Sequence, residues 1–365
     1  MDNWQVGPAN RWAFQHLDEI VTTAELSRGR GPVLALNPGE PLQVPGLPEF
    51  LEQTFTDGFL VLRGHEIVHE QYFNNMTAAT RHLVMSVSKS LCSSVFGQYV
   101  ERDAIDVDAH VTRYVPELSE SAYGDATVQQ VLDMTVAVQY DETYDDPKSE
   151  VQTHDRVAGW RTPRAGDPVD SYAFLASLRK SGEHGRVFQY CSANTDVLSW
   201  ILERISGREY PGLLTADLWS RIGAEYDAFV TVDQGGFASA NGGVCVTLRD
   251  LARFGRVVLD GGVGPDGTTV IPPAWIADIR RGGDPKAAEE SMGEAHPNGS
   301  YRNQFWLTGD EHGCFYGVGI HGQYIWMNPA ADVVIAKLST LPDADDTDNW
   351  VRHVSYFDAL GESIT

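Results

Sequence analysis

The sequence predicts a mixed α/β (α+β) fold in which both chain ends build one sheet and a helical lobe is inserted between them. Three observations carry this. Strand-like runs lie near residues 59–69 and again near 323–339. The long middle, 102–230, reads mainly as helices with long loops. And a chain of 365 residues exceeds the size at which a single core usually keeps growing, so two lobes or one large mixed domain are expected. The boundaries are 1–100 with 235–365 for the mixed lobe and 101–234 for the helical one, with a cleft between them.

Each element has its own reason. Residues 1–50 are loop-rich, punctuated by Pro32, Pro38, Pro41, Pro45 and Pro48. Phe59-Leu60-Val61-Leu62-Arg63, then Gly64, then Glu66-Ile67-Val68-His69 reads as two strands around a tight turn. From Ser86 to about Glu101 the pattern turns helical, with Val87, Leu91 and Val95 at spacing four. Helices are expected over 171–180 and over 195–206, the second stopped by Gly207. Thr247 with Asp250 resembles a capping box, with Asp in place of Glu or Gln, and opens an apolar-periodic helix that ends at Gly261-Gly262. Residues 323–328 and 332–339 read as two strands joined at Pro329-Ala330-Ala331.

Composition excludes some functions. The formal net charge is −24. A polyanion of this size repels nucleic acid and anionic membrane, so neither is an expected partner. The start, Met1-Asp2-Asn3-Trp4-Gln5, has no basic or apolar leader character, and no long apolar run follows, so a cytoplasmic protein is expected. Cys92, Cys191, Cys245 and Cys314 are far apart and read as reduced thiols.

Two catalytic patterns compete. His65-Glu66-Ile67-Val68-His69 matches H-E-x-x-H, which on a helix would let two imidazoles share a zinc ion. The segment reads as strand, where residues four apart stand about 13 Å from each other. Two nitrogens at that separation cannot both lie about 2 Å from one metal, so the match is read as chance. The second pattern, Ser86-Val87-Ser88-Lys89, matches S-x-x-K: a serine at a helix start with a lysine one turn on. Spacing alone does not distinguish it from Ser177-Leu178-Arg179-Lys180, which lies inside a predicted helix.

Context favours Ser86. An apolar lead-in, Arg81-His82-Leu83-Val84-Met85, precedes it, and the helix that follows would bury Lys89 and lower its pKa. Tyr190, just before the helix at 195, is a candidate general acid or base, weighed against an ordinary core tyrosine. Gly319-Ile320-His321-Gly322-Gln323 enters a late strand, where glycine permits close backbone approach and a backbone N–H would complete an oxyanion hole with that of Ser86. His321 alone also reads as a structural histidine.

The order S-x-x-K, then Tyr-x-Ser, then a His-Gly turn resembles the superfamily of class C β-lactamases, DD-peptidases and family VIII esterases. The stretch from Asn241-Gly242-Gly243 to Thr247-Leu248-Arg249-Asp250-Leu251-Ala252-Arg253-Phe254 is similar to that superfamily's G-G-x-x-x-T-x-x-D-L-A-R-F segment. Within it, longer strings around Ser86, Ser149-Glu150-Val151-Gln152-Thr153-His154-Asp155-Arg156 and Gln189-Tyr190-Cys191-Ser192-Ala193-Asn194 resemble the 6-aminohexanoate-dimer hydrolases. That likeness runs over nearly the whole chain.

The resemblance implies the penicillin-recognising serine hydrolase fold: an antiparallel sheet flanked by helices, plus an inserted all-helical lobe. It implies Ser86, Lys89 and Tyr190 as the catalytic trio and the N–H groups of Ser86 and Ile320 as the oxyanion hole. Tyr144 would contact the scissile amide, Trp160 and Asn241 would line the pocket, and Asp155 would hold a terminal ammonium. Ser192, His321 and Gly322 complete the expected substrate-binding set. The implied activity is hydrolysis of short linear amides with an amino end, with esterase activity on short acyl esters. The alternatives are a carboxylesterase with little amidase activity and a silent ligand-binding module. No metal or organic cofactor is expected. The expected partners are a small amide or ester and, at most, a second copy of the chain. Two departures count against β-lactam turnover: Ser192 stands where the superfamily has Asn, and His321 where β-lactamases have Lys.

Overall fold

The computed structural model describes residues 2–293 and 296–364. Its main sheet has eight strands, in the spatial order Asn37–Pro38, Glu66–Tyr72, Thr56–Arg63, Val333–Ser339, Gln323–Asn328, Phe315–Gly319, Phe305–Leu307 and Ser300–Arg302. All neighbours are antiparallel except the short pairing of Asn37–Pro38 with Glu66–Ile67. The two chain ends therefore do meet in one sheet, through Thr56–Arg63 and Val333–Ser339.

This sheet is covered on both faces, which its sequence explains. Successive strand residues point to opposite sides. Leu60, Leu62, Ile325, Met327, Val334 and Ala336 belong to the large central core with the helix Leu248–Leu259. The intervening Phe59, Val61, Tyr324, Trp326, Val333 and Ile335 pack with Val354, Phe357 and Leu360 of the C-terminal helix Thr347–Ile364. Strands buried on both faces read as continuous apolar runs, and these do.

The expectation of a single sheet needs correction. A second sheet of four strands, ordered Thr23–Leu26, Ala228–Thr231, Val244–Val246 and His82–Leu83, lies apart from the first. Its strands are only two to four residues long, too short to show a period of two in the sequence. It matters because His82–Leu83 ends just before Ser86, pinned to Val246 and Cys245. It also places one strand, Ala228–Thr231, inside the segment read as a helical insertion.

Other elements follow the sequence more closely. The helix at 171 ends at Ser177, and the one expected from Thr195 begins earlier, at Ser192. Gly207, in the left-handed conformation, closes the latter. Thr247 caps Leu248–Leu259 through the Asp250 N–H, but Asp250 does not reciprocate. Its carboxylate instead accepts from Thr247 Oγ1, from Arg253 and from the backbone N–H groups of Glu225 and Tyr226. The Glu66–Tyr72 segment is a strand, as the reading of H-E-x-x-H required. His65 lies in the turn before it, 3.0 Å from Asp260.

Candidate active site

Ser86 is the N-cap of the fifteen-residue helix Val87–Glu101. Met85, just before it, has a φ of +46°, so the chain turns sharply between the short strand and the helix. That turn exposes Ser86 at the mouth of two cavities, both of which it lines. Lys89 follows one helical turn later on the same face.

Lys89 is only 1% exposed, which leaves its ammonium dependent on protein partners. Three oxygens supply them: Ser86 Oγ at 2.8 Å, Asn241 O at 2.7 Å and Ser192 Oγ at 3.2 Å. The nitrogen also lies 5.0 Å from the Tyr190 ring centre. Burial pulls the Lys89 pKa down to about 8, against the opposing pull of Glu142, Asp196 and Cys191. Unprotonated, the amine still donates to Asn241 O and Ser192 Oγ and turns its lone pair toward the Ser86 hydroxyl.

Tyr190 immediately precedes the N-cap Cys191 of the helix Ser192–Ser206. Its ring stacks on Trp306 at 5.7 Å, and Ser86 hydrogen-bonds its hydroxyl. Burial and then Glu142 push its pKa above the ordinary tyrosine value, and the Ser86 bond only partly offsets this. In the resting site Tyr190 is therefore a phenol.

On the other side of Ser86 runs the strand Phe315–Gly319. A Cβ placed on Gly319 would stand 2.7 Å from Val84 O, 2.8 Å from Met85 Cβ and 2.9 Å from Ser86 N. Only glycine lets the strand end come this close to the serine backbone. Ile320 follows at once and lines both cavities. His321, with φ +62°, turns its ring inward, and its Nδ1 donates to Leu341 O at 2.7 Å. Burial lowers its pKa to about 4, so it carries no charge at neutral pH. Gly322, at φ +88°, sits beside it in the turn.

The two cavities differ greatly in size. The smaller, about 30 Å³, is bounded by Met85, Tyr144, Asp155, Trp160 and Asn241. That volume holds a water or two. The larger, about 610 Å³, is bounded by Glu142, Tyr190, Trp306, His321 and Asp345 among others. That is within the range of small-molecule sites. Trp160 is fixed in the wall, its indole N–H donating to Thr231 Oγ1 at 3.0 Å. Asn241 is held by Asp196, which accepts its backbone N–H at 3.0 Å and its Nδ2 at 2.6 Å. Asp196 in turn lies 2.9 Å from His154 Nε2.

Two expected substrate contacts already have protein partners. Asp155 accepts from Arg161 Nε at 3.0 Å, so its charge is met before any ligand arrives. Tyr144 donates its hydroxyl to Glu142 Oε1 at 2.8 Å. Ser192 is placed between Lys89 and Glu142, its hydroxyl donating to Glu142 Oε1 and its backbone N–H to Oε2 at 2.9 Å.

The rival S-x-x-K comes to nothing chemically. Ser177 Oγ donates to Phe174 O, and Lys180, 37% exposed, pairs with Asp125. Among the described residues, Asp310, Cys314 and Asp358 bring three ligand atoms within 4.8 Å of one another, and none of the three lines either cavity.

Sequence reasoning missed Glu142 and Asp196. Asp196 lies four residues after Ser192 in a helix, so it shares that face, a signal open to reading. Glu142 sits in the acidic run Asp141-Glu142-Thr143-Tyr144-Asp145-Asp146, where nothing local separates it from its neighbours.

Comparison with known proteins supplies the family. The β-lactamase family model matches residues 49–356. A 6-aminohexanoate-dimer hydrolase of Paenarthrobacter ureafaciens is 50% identical over 359 residues, covering 96% of this chain and 90% of its own length. A solved structure from Bacillus anthracis, provisionally named a 6-aminohexanoate-dimer hydrolase, is 25% identical with a TM-score of 0.89, over 100% of this chain and 96% of that one. A family VIII carboxylesterase shares the fold at 16% identity and a TM-score of 0.63, over 87% of this chain and 98% of that one. No helix among the described residues is long and apolar enough to cross a membrane. The chain belongs to the β-lactamase family and is a serine hydrolase.

Proposed function

We propose that the enzyme hydrolyses short linear amides with an amino end, of the 6-aminohexanoate-dimer kind, and short acyl esters, through an acyl-enzyme on Ser86. The carrying observation is the 2.8 Å contact between Ser86 Oγ and a buried Lys89 whose pKa lies near 8. An amine that is partly unprotonated at working pH is matched to general-base duty. The raised pKa of Tyr190 leaves it a proton donor rather than a base.

The steps follow from these positions. Ser86 Oγ attacks the carbonyl carbon and passes its proton to Lys89 Nζ, while the carbonyl π pair moves onto oxygen. The N–H groups of Ser86 and Ile320 receive that oxyanion. Collapse re-forms the carbonyl and breaks the C–N bond, and Tyr190 protonates the departing nitrogen. The Lys89 ammonium restores the Tyr190 proton. Lys89 then takes a proton from water, whose oxygen attacks the acyl carbon; collapse breaks the C–Oγ bond, and the Lys89 ammonium returns the proton to Ser86 Oγ as the acid leaves.

The close sequence relative supports the amide reading. A second reading, an esterase of small acyl groups, has its own support. The Asp155 side holds only about 30 Å³ and Asp155 is already paired with Arg161, so a long cationic acyl chain enters only if the Tyr144 segment yields. Labelling with a fluorophosphonate, followed by peptide mass mapping, tests the nucleophile. Label on Ser86 is expected, and label on Ser177, or none, overturns the proposal.

A further inference from the structure

Lys89 does not end the polar chain that starts at Ser86. Its nitrogen meets Ser192 Oγ at 3.2 Å, and that hydroxyl has one proton to give, which goes to Glu142 Oε1. The Ser192 backbone N–H holds the other carboxylate oxygen at 2.9 Å, and the Tyr144 hydroxyl adds a further bond at 2.8 Å. The carboxylate is thus aimed, through a single hydroxyl, at the nitrogen that must take the Ser86 proton. A residue of the Asn type at 192 would have its own amide there; Ser192 has an oxygen that accepts from the lysine and a hydrogen that binds the acid.

We propose that Glu142 is a positioning residue for the reaction: coupled to Lys89 through Ser192, its negative charge steadies the ammonium that forms on Lys89 as Ser86 attacks. This rests on the acyl-enzyme reading given above. The arrangement parallels a serine triad, in which an acid orients the base and stabilises its protonated form without itself taking the proton. Here the base is an amine, and a hydroxyl stands between base and acid. In this step the proton moves from Ser86 Oγ to Lys89 Nζ, and Glu142 takes no proton.

Other charges facing Lys89 do not fill this role. Asp196 is committed to Asn241 and faces His154. Burial raises the pKa of Cys191, which keeps that thiol neutral, and Tyr190 and Tyr144 are held as phenols. Asp345 lines the large cavity and acts on Tyr190 and Tyr144 rather than on Lys89. Glu142 heads the groups that oppose desolvation at Lys89.

The charge has a double signature that packing alone does not give. Removing it lowers the Lys89 pKa, so the acid limb of activity moves to lower pH. The same change makes Lys89 a weaker base and leaves its new charge less stabilised, so the plateau falls. The test is the pH profile of kcat/KM for p-nitrophenyl acetate with wild type, Glu142→Gln and Glu142→Asp. Glu142→Gln is expected to shift the acid limb down by roughly half a pH unit or more and to lower the plateau about ten-fold. Glu142→Asp, which keeps the charge but withdraws it, should lie between the two. A lower plateau with an unmoved limb, or a limb that moves up, overturns the role. Ser86→Ala, run alongside, separates this from the parent reading. If Ser86→Ala is inactive and the Glu142→Gln limb is unmoved, only the Glu142 role fails. If Ser86→Ala keeps full activity, the acyl-enzyme reading fails with it.

Discussion

The family resemblance implies that Asp155 holds a terminal ammonium, which would make a charge-assisted pair. The structure adds Arg161, already 3.0 Å away. Burial raises the Asp155 pKa, and Arg161 pulls it back. An incoming ammonium would therefore compete with a resident guanidinium for one carboxylate. Replacing Asp155 with Gly is expected to reduce kcat/KM for the aminohexanoate dimer about ten-fold or more while p-nitrophenyl acetate changes less than two-fold, because acetate has no charged end. Parallel losses on the two substrates would remove Asp155 from recognition. The residue scale also shows what was legible. Ser86, Lys89 and Tyr190 carry recognisable spacing and context, and they do converge. Glu142 has no such signal, because its importance comes from contact with Ser192, fifty positions away in the chain.

At the scale of elements, the oxyanion side depends on a strand end pressed against a helix start. Gly319 is the point of contact, and a methyl group there would meet Ser86 N and Val84 O at less than 3 Å. Gly319→Ala is thus expected to push the Ile320 N–H out of place and to cost about 100-fold in kcat, the scale of losing one oxyanion donor. A kcat within two-fold of wild type would show that this strand end does not position the donor. The C-terminal helix acts at the same scale but through packing. Phe357 is fully buried against Phe59, Tyr324 and Trp326. Phe357→Ala should lower unfolding free energy by about 3–5 kcal/mol, measured by urea titration. The main strands were readable because their apolar runs are long; the second sheet was not, because its strands are too short for any period to appear.

For the whole molecule, two large features matter: a strongly acidic surface and two cavities meeting at one serine. The charge of −24 reads first as a solvated, solubilising surface that repels other polyanions. The lysine of β-lactamases that would hold a carboxylate is replaced by His321, whose Nδ1–H is committed to Leu341 O. This replacement counts against β-lactam turnover. The two cavities that meet at Ser86 differ widely in volume, about 30 against 610 Å³.

The joining of the two chain ends in one sheet has a consequence for how the enzyme comes into being. Ser86 is synthesised well before the strand Phe315–Gly319, whose end packs against the serine backbone. Folds dominated by contacts of such long range form slowly. An emerging polypeptide thus presents a serine and a lysine well before it has a place to stabilise an oxyanion. A chain that stops short of Phe315 has the serine and the lysine but lacks the strand end that packs against them.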